Sequence, residues 1–195
     1  MSVTEQSPTE YDDMEFRFLP ALALALVNQP RATLQELANS IGVSKATLYR
    51  FCPSKKQLID RLISHVALYY INAIKRAELD KGSPQEALSR LINAYLTNKE
   101  FGIFMMHNWR PDYLDESHPD KSWINGQDAL DAFFLRGQKE GAFRLDISAA
   151  AMTELFYNIL AGLIDAERRG RIPRNSLYQL IELSLNSCLS QPSKT

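Results

Sequence analysis

The sequence predicts an all-α protein, with an N-terminal three-helix head of the helix-turn-helix type joined by a long fourth helix to a helical body. Three features point there. The stretch from Thr33 to Lys55, TLQELANSIGVSKATLYRFCPSK, holds two short helix signatures separated by a glycine turn, with a third helix start directly after it. Elsewhere apolar residues recur at spacings of three and four, and no run alternates with period two for long enough to make a strand. Gly82-Ser83-Pro84-Gln85-Glu86 is a strong boundary, with a stop glycine, a capping serine, proline at the first helical position and glutamate at the third.

Taken in order, residues 1–13 read as a flexible tail and the head as residues 14–54, beginning with a helix from Met14 to Asn28. Pro20 means that this helix either starts near Leu19, with the proline in its first turn, or kinks. Thr33 and Glu36 form a capping box for the next helix, whose apolar face is Leu34, Leu37, Ala38 and Ile41. Gly42 supplies the left-handed conformation that ends it, and Val43 plugs the corner. Ser44 caps the second helix of the motif, which carries Ala46, Thr47, Tyr49 and Arg50 on a face of small side chains with polar tips.

Ser54 caps a fourth helix, with Gln57 three residues on, and the stripe Leu58, Leu62, His65 or Val66, Tyr69 and Ala73 carries it to about Lys81. A body over residues 82–190 follows. Its expected helices are Pro84 to about Asn108, about Pro119 to Glu140, either continuous or interrupted near Gly126, Ile147 to Arg169, and Ser176 to Leu189. No internal repeat or low-complexity segment is present.

Composition narrows the function. The 195 residues are 45% hydrophobic, enough for a core, and the net charge is −1. The distribution is uneven: Arg31, Lys45, Arg50, Lys55, Lys56 and Arg61 face only Glu36 and Asp60 within the motif region, whereas the first sixteen residues hold five acids and no base. A local basic patch in a neutral chain is what a confined DNA contact needs, because phosphate neutralisation supplies much of the affinity. Lys55 and Lys56 also sit in a helix's first turn, where cations oppose the dipole by roughly 0.3–1 kcal/mol each unless an anion is the neighbour. A phosphate would reverse that sign, and the N–H groups of the turn would help to hold it.

The second helix of such a motif lies in the major groove with its N-terminal residues at base edges. The expected DNA-binding set is therefore Thr33, Ser44, Lys45, Ala46, Thr47, Tyr49, Arg50 and Lys55, with Ser44 to Thr47 reading bases and Tyr49 and Lys55 clamping phosphate. Two cysteines, Cys52 and Cys188, make no disulfide framework and lack metal spacing, so a reducing cytoplasm fits. The opening residues carry no secretory signal, and the apolar run from Phe18 to Val27 falls far short of the roughly 20 residues that span a bilayer. No membrane partner, cofactor or metal is expected. An α-helical enzyme is the rival from another class, disfavoured because His65, His107 and His118 lie far apart and no HExxH motif or glycine-rich phosphate loop occurs. The acids Asp112, Asp115, Glu116 and Asp120 around His118 read as a solvated loop.

The head resembles the TetR family of bacterial transcriptional regulators in Thr33-Leu34-Gln35-Glu36-Leu37-Ala38, Ile41-Gly42-Val43-Ser44, Thr47-Leu48-Tyr49 and Lys55-Lys56-Gln57-Leu58. A weaker similarity runs through Gly141-Ala142-Phe143-Arg144-Leu145-Asp146 and Gly162-Leu163. Two departures stand out: Asn28 lies near a place where the family usually has glycine, and Cys52 occupies a position usually held by phenylalanine. Asparagine tolerates the left-handed conformation. Cys52 reads as structural.

The resemblance implies a homodimer on a palindromic DNA operator, half-sites about one helical turn apart or somewhat more, and a repressor released by a small, partly apolar or aromatic effector. Phe101, Phe104, Met105, Met106, His107, Trp109, Tyr113 and Trp123, completed by Phe133, Phe134 and Tyr157, have the composition of a ligand pocket and equally that of a core. The expected ligand-binding set is Phe101, Phe104, Met105, His107, Trp109, Tyr113, Trp123, Phe133 and Tyr157. For the dimer interface the favoured set is Met152, Phe156, Ile159, Leu163, Leu177, Leu180 and Ile181 on the last two helices, with burial inside one chain as the alternative. A helix-turn-helix adaptor controlled by protein contacts, without a ligand, remains open as a second reading. Arg168-Arg169-Gly170-Arg171 reads as a solvated helix end.

Overall fold

The computed structural model describes residues 17–191, so the expected tail over residues 1–13 and the start of the expected first helix lie outside the described residues. Nine α-helices follow one another among the described residues: α1 Leu19–Asn28, α2 Leu34–Ser40, α3 Lys45–Phe51, α4 Lys55–Arg76, α5 Pro84–Leu96, α6 Lys99–Asn108, α7 Ser122–Lys139, α8 Ala149–Arg168 and α9 Leu177–Leu189. No strand occurs among the described residues, only an isolated antiparallel bridge between Phe143 and Ser190. None of the described helices is long and apolar enough to cross a membrane.

The helix starts follow local chemistry. Pro20 falls in the first turn of α1, where its missing N–H costs nothing, so no kink is needed. Thr33 and Glu36 complete a reciprocal capping box on α2, and Ser83 and Glu86 another on α5. Ser44 and Ser54 accept from the backbone N–H groups of Thr47 and Gln57. Gly42 takes φ of +73°, the left-handed conformation expected of it. Asn28 remains helical in α1 and does not adopt that conformation; the chain leaves through Gln29, with φ −130° and ψ 65°.

Helix boundaries differ from expectation at the end of α4 and in the run that follows it. α4 stops at Arg76, short of Lys81, because Arg90 on α5 donates to the carbonyls of Ala77, Glu78 and Lys81 at 2.8, 2.9 and 2.6 Å and holds the chain in a turn, with Glu78 at φ +46°. The run expected to be one helix from Pro84 to Asn108 is two, α5 and α6, broken at Thr97-Asn98. There the Thr97 hydroxyl bonds back to the Asn93 carbonyl at 3.0 Å and Asn98 leaves the helical region, the local competition such residues offer. At Gly126 the helix is continuous, with Gly126 buried and Ile71 and Ile74 of α4 nearby.

The packing places α4 at the centre, against α5 and α7, while α8 lies between α7 and α9, and α9 returns against α5. α1 runs along α6. One continuous apolar cluster extends from Leu19 in the head to Leu189 in α9, so head and body share a core. The segment Gly141 to Asp146 closes the far end: Phe143 is buried directly over Gly137, where an added Cβ would fall 2.1 Å from the ring. Only glycine fits there.

Candidate nucleic-acid interface and body cavity

The head presents α3. Leu48 and Phe51 anchor it in the core, and Cys52, 4% exposed, ends it in an extended conformation beneath the helix. Phe18 meets the Phe51 ring edge-on at 6.0 Å, and Arg61 donates to the Phe51 carbonyl at 2.6 Å with its guanidinium over the same ring. The opposite side of α3 is open. Ser44, Lys45, Ala46, Tyr49 and Arg50 are exposed and Thr47 is half-buried, so six of the expected DNA-binding residues share one accessible surface. Lys45 stands over the Tyr49 ring at 5.2 Å, an i,i+4 cation–π pair that positions both polar tips.

Several members of the expected set have internal partners. The Ser44 oxygen accepts from the Thr47 N–H at 3.0 Å and is hydrogen-bonded to the Thr47 hydroxyl at 2.7 Å, which makes Ser44 the helix cap. Lys55 is committed further: its ammonium donates to the carbonyls of Pro30 and Ala32, both at 2.7 Å, and so ties the start of α4 to the loop between α1 and α2. These carbonyls, which the sequence could not show, satisfy a cation that the helix dipole opposes. Lys56 in the same turn is exposed. Thr33, exposed at the start of α2, bonds with the Glu36 carboxylate, and those bonds hold that carboxyl below its ordinary value.

Within the body, a cavity of about 520 Å³ lies between α4, α5, α6, α7 and α8. Of the nine residues expected to bind a ligand, Met105, Trp109, Trp123 and Tyr157 line it. The other five expected ligand residues do not. Phe101 and Phe104 are fully buried on other faces of α6, Phe101 meeting Tyr69 at 5.1 Å, and Phe133 packs with Phe134 and Phe143. Tyr113 stacks behind Trp123 at 6.3 Å, and His107 is exposed with its ring bonded to the Ile103 carbonyl.

The wall contains residues that sequence reasoning missed: Tyr70 and Ile74 of α4, Tyr95 of α5, Gly102, Gln127, and Glu154 and Asn158 of α8. Tyr70 and Tyr95 stack at 4.4 Å. The expected stripe on α4 named Tyr69, but Tyr70 is the fully buried neighbour; Tyr69 is half-buried and donates to the Ala94 carbonyl at 3.2 Å. At the other end Trp109 and Trp123 meet edge-to-face at 5.4 Å, with Trp109 44% exposed at the surface.

The expected dimer set divides as well. Met152, Phe156, Leu177 and Ile181 point into the chain's own core and cannot serve an interface without unpacking it. Ile159, Leu163 and Leu180 are half-buried, and Leu183 of the same apolar closing helix is 64% exposed. An added Cβ on Gly162 meets nothing within 4 Å. At the end of α8, Arg168 and Arg169 both pair with Asp165, a capped helix terminus.

A capped three-helix head with an open second motif helix, carried on a helical body, defines a helix-turn-helix DNA-binding transcriptional regulator. The family model described as bacterial regulatory proteins, tetR family, matches residues 29–62. The chain is 45% identical over 180 residues to the HTH-type transcriptional regulator NfxB of Pseudomonas aeruginosa, covering 92% of this chain and 96% of that one. It is 25% identical over 169 residues to the HTH-type transcriptional repressor LfrR of Mycolicibacterium smegmatis, covering 87% and 86%. The crystal structure of LfrR from Mycobacterium smegmatis in complex with proflavine superposes with a TM-score of 0.67 at 23% identity, over 89% of this chain and 94% of that one. The chain belongs to the TetR family of bacterial transcriptional regulators. Its relatives are regulators, not enzymes.

Proposed function

We propose that this protein is a ligand-responsive repressor that binds a palindromic operator as a homodimer and leaves it when a small apolar or aromatic effector fills the body cavity. The cavity's position carries the reading: its wall is built from α4, the helix that begins at Lys55 beneath the reader face, so an occupant changes the seat of the head. α6, which also lines it, lies along α1. LfrR has been crystallised with proflavine, which supports an effector site in a relative of the same fold.

In this reading Lys45, Ala46 and Thr47 read base edges, and Tyr49 and Arg50 contact phosphate. Ser44 and Thr33 offer their capped helix starts to the backbone, and Lys55 acts through the loop it holds, with its third proton free for a phosphate. The head then comprises residues 14–54, α4 links it to a body over residues 82–190, and the dimer seam is the outer side of α8 and α9: Leu155, Ile159, Leu163, Leu180 and Leu183, with Gly162 permitting close approach of the partner helix. The adaptor reading, without effector, would leave a 520 Å³ cavity in the body with no use.

The test is thermodynamic reciprocity. An effector found by thermal-shift screening should weaken operator binding, and saturating operator should weaken effector binding by the same factor. An effector that binds the cavity and leaves DNA affinity unchanged overturns the release mechanism.

A further inference from the structure

We propose that the Tyr70 hydroxyl donates a hydrogen bond to the effector, so that the closed end of the body cavity selects molecules carrying an uncharged acceptor such as a ketone or amide carbonyl. This rests on the effector-cavity reading above and adds a polar requirement to it. The cavity has two unlike sides. Trp109 and Glu154, both exposed, mark the open one, whereas Tyr70, Tyr95, Leu160 and Ile164, all buried, mark the closed one. Tyr70 is 7% exposed, and its ring stacks on that of Tyr95 at 4.4 Å, which fixes the phenol in place.

The Tyr70 oxygen has no hydrogen-bond partner among the described residues, in contrast to its neighbour Tyr69, which donates to the Ala94 carbonyl. The described side-chain atoms that are sealed in protein without a partner both belong to Arg136. The Tyr70 oxygen is therefore not sealed, and the space it faces is the cavity: it lies 3.4 Å from where a Cβ on Gly102, itself a lining residue, would stand. Tyr95 is engaged elsewhere. Burial raises the Tyr95 phenol, and contact with Tyr157 raises it further while lowering Tyr157, as donation from Tyr95 to Tyr157 requires. Burial also pushes the Tyr70 phenol up, so it remains a protonated donor at pH 7.

An occupant that reaches this end displaces water from the hydroxyl. One with a carbonyl replaces that bond, and one without leaves a buried donor unsatisfied, which a hydrogen-bonding site penalises strongly. An anionic acceptor gains the same bond but meets no compensating cation, since no Lys, Arg or His lines the cavity.

The test uses the full-length protein with the neutral fluorescent probe phenylnaphthylamine, displaced in turn by fluorenone, fluorene and fluorene carboxylate: one tricyclic frame bearing a carbonyl, a methylene or an anion. Fluorenone should bind tighter than the more apolar fluorene, and tighter than the carboxylate by about tenfold or more. Tyr70→Phe keeps the ring and its stacking; it should weaken fluorenone by roughly tenfold while leaving fluorene within about twofold. Equal loss of both ligands in Tyr70→Phe, or loss of neither, overturns the role of the hydroxyl. Carboxylate binding as tight as fluorenone overturns selection of an uncharged acceptor. In either case binding of the probe leaves the cavity reading standing, whereas a protein that binds neither the probe nor fluorenone overturns both.

Discussion

The Lys55 ammonium donates to the Ala32 carbonyl at 2.7 Å, across 23 positions of sequence, and so joins the first turn of the long helix to the residue before the motif's own cap, Thr33. The same ammonium holds the Pro30 carbonyl. One side chain thus fixes where α2 starts relative to α4, and α4 in turn forms a wall of the body cavity.

Replacing Lys55 with Met should therefore act on the whole head. Two hydrogen bonds from a charged donor are lost at a half-buried site, which should cost about 1–2 kcal/mol in urea unfolding. Operator and random DNA should both bind more weakly, by similar factors. Unchanged stability with a changed base preference would place Lys55 among the base readers instead.

Acid should loosen the helix starts in a defined direction. Glu36 and Glu86 each have their carboxyl held below its ordinary value of 4.5 by bonds from the cap residue's backbone and hydroxyl. A lowered carboxyl contributes stability that is full above its unfolded-state value and is lost as pH falls through the folded one. Stability measured by thermal melts should fall below about pH 4.5 with a slope that Glu36→Gln and Glu86→Gln together reduce. An identical slope in the double variant would refute the capping contribution.

Gly137→Ala should destabilise the body end without touching the cavity. Its methyl would sit 2.1 Å from the Phe143 ring, and overpacking of this kind costs about 1–3 kcal/mol or more. Phe143→Leu in the same chain should recover part of the loss, so a double-mutant cycle reports a favourable coupling. Additive losses would mean that the ring simply moves aside.

Leu183→Glu should give a monomer in sedimentation equilibrium while the fold, followed by circular dichroism, is retained. Leu183 is exposed in the single chain, so the substitution spares the core and acts only on the surface proposed as the seam. A dimer that persists would move the seam elsewhere.

The helix starts of head and body are readable from sequence because their signals are local. Thr33 with Glu36, Ser44, Ser54, and Ser83 with Glu86 each announce a helix start within three residues, and Gly42 its one allowed turn. The cavity was half legible. Met105, Trp109 and Trp123 cluster in sequence, but Tyr70, Tyr95 and Glu154 arrive from helices far apart in the chain, and only the packing brings them together. Periodicity likewise gave the apolar faces of α8 and α9 but not which side the chain's own core claims, so Met152 and Phe156 turned inward while Leu183 remained outside. The break at Thr97-Asn98 carries neither glycine nor proline and depends on a threonine back-bond, a signal too weak to read alone.

The decisive measurement is selection of a binding sequence from a random DNA pool, followed by titration of its affinity against salt. A dimeric helix-turn-helix regulator should enrich a palindrome and lose affinity steeply as salt rises, with a log–log slope of about −0.9 for each phosphate neutralised. No enriched sequence, or an affinity flat in salt, would contradict DNA reading by the α3 face.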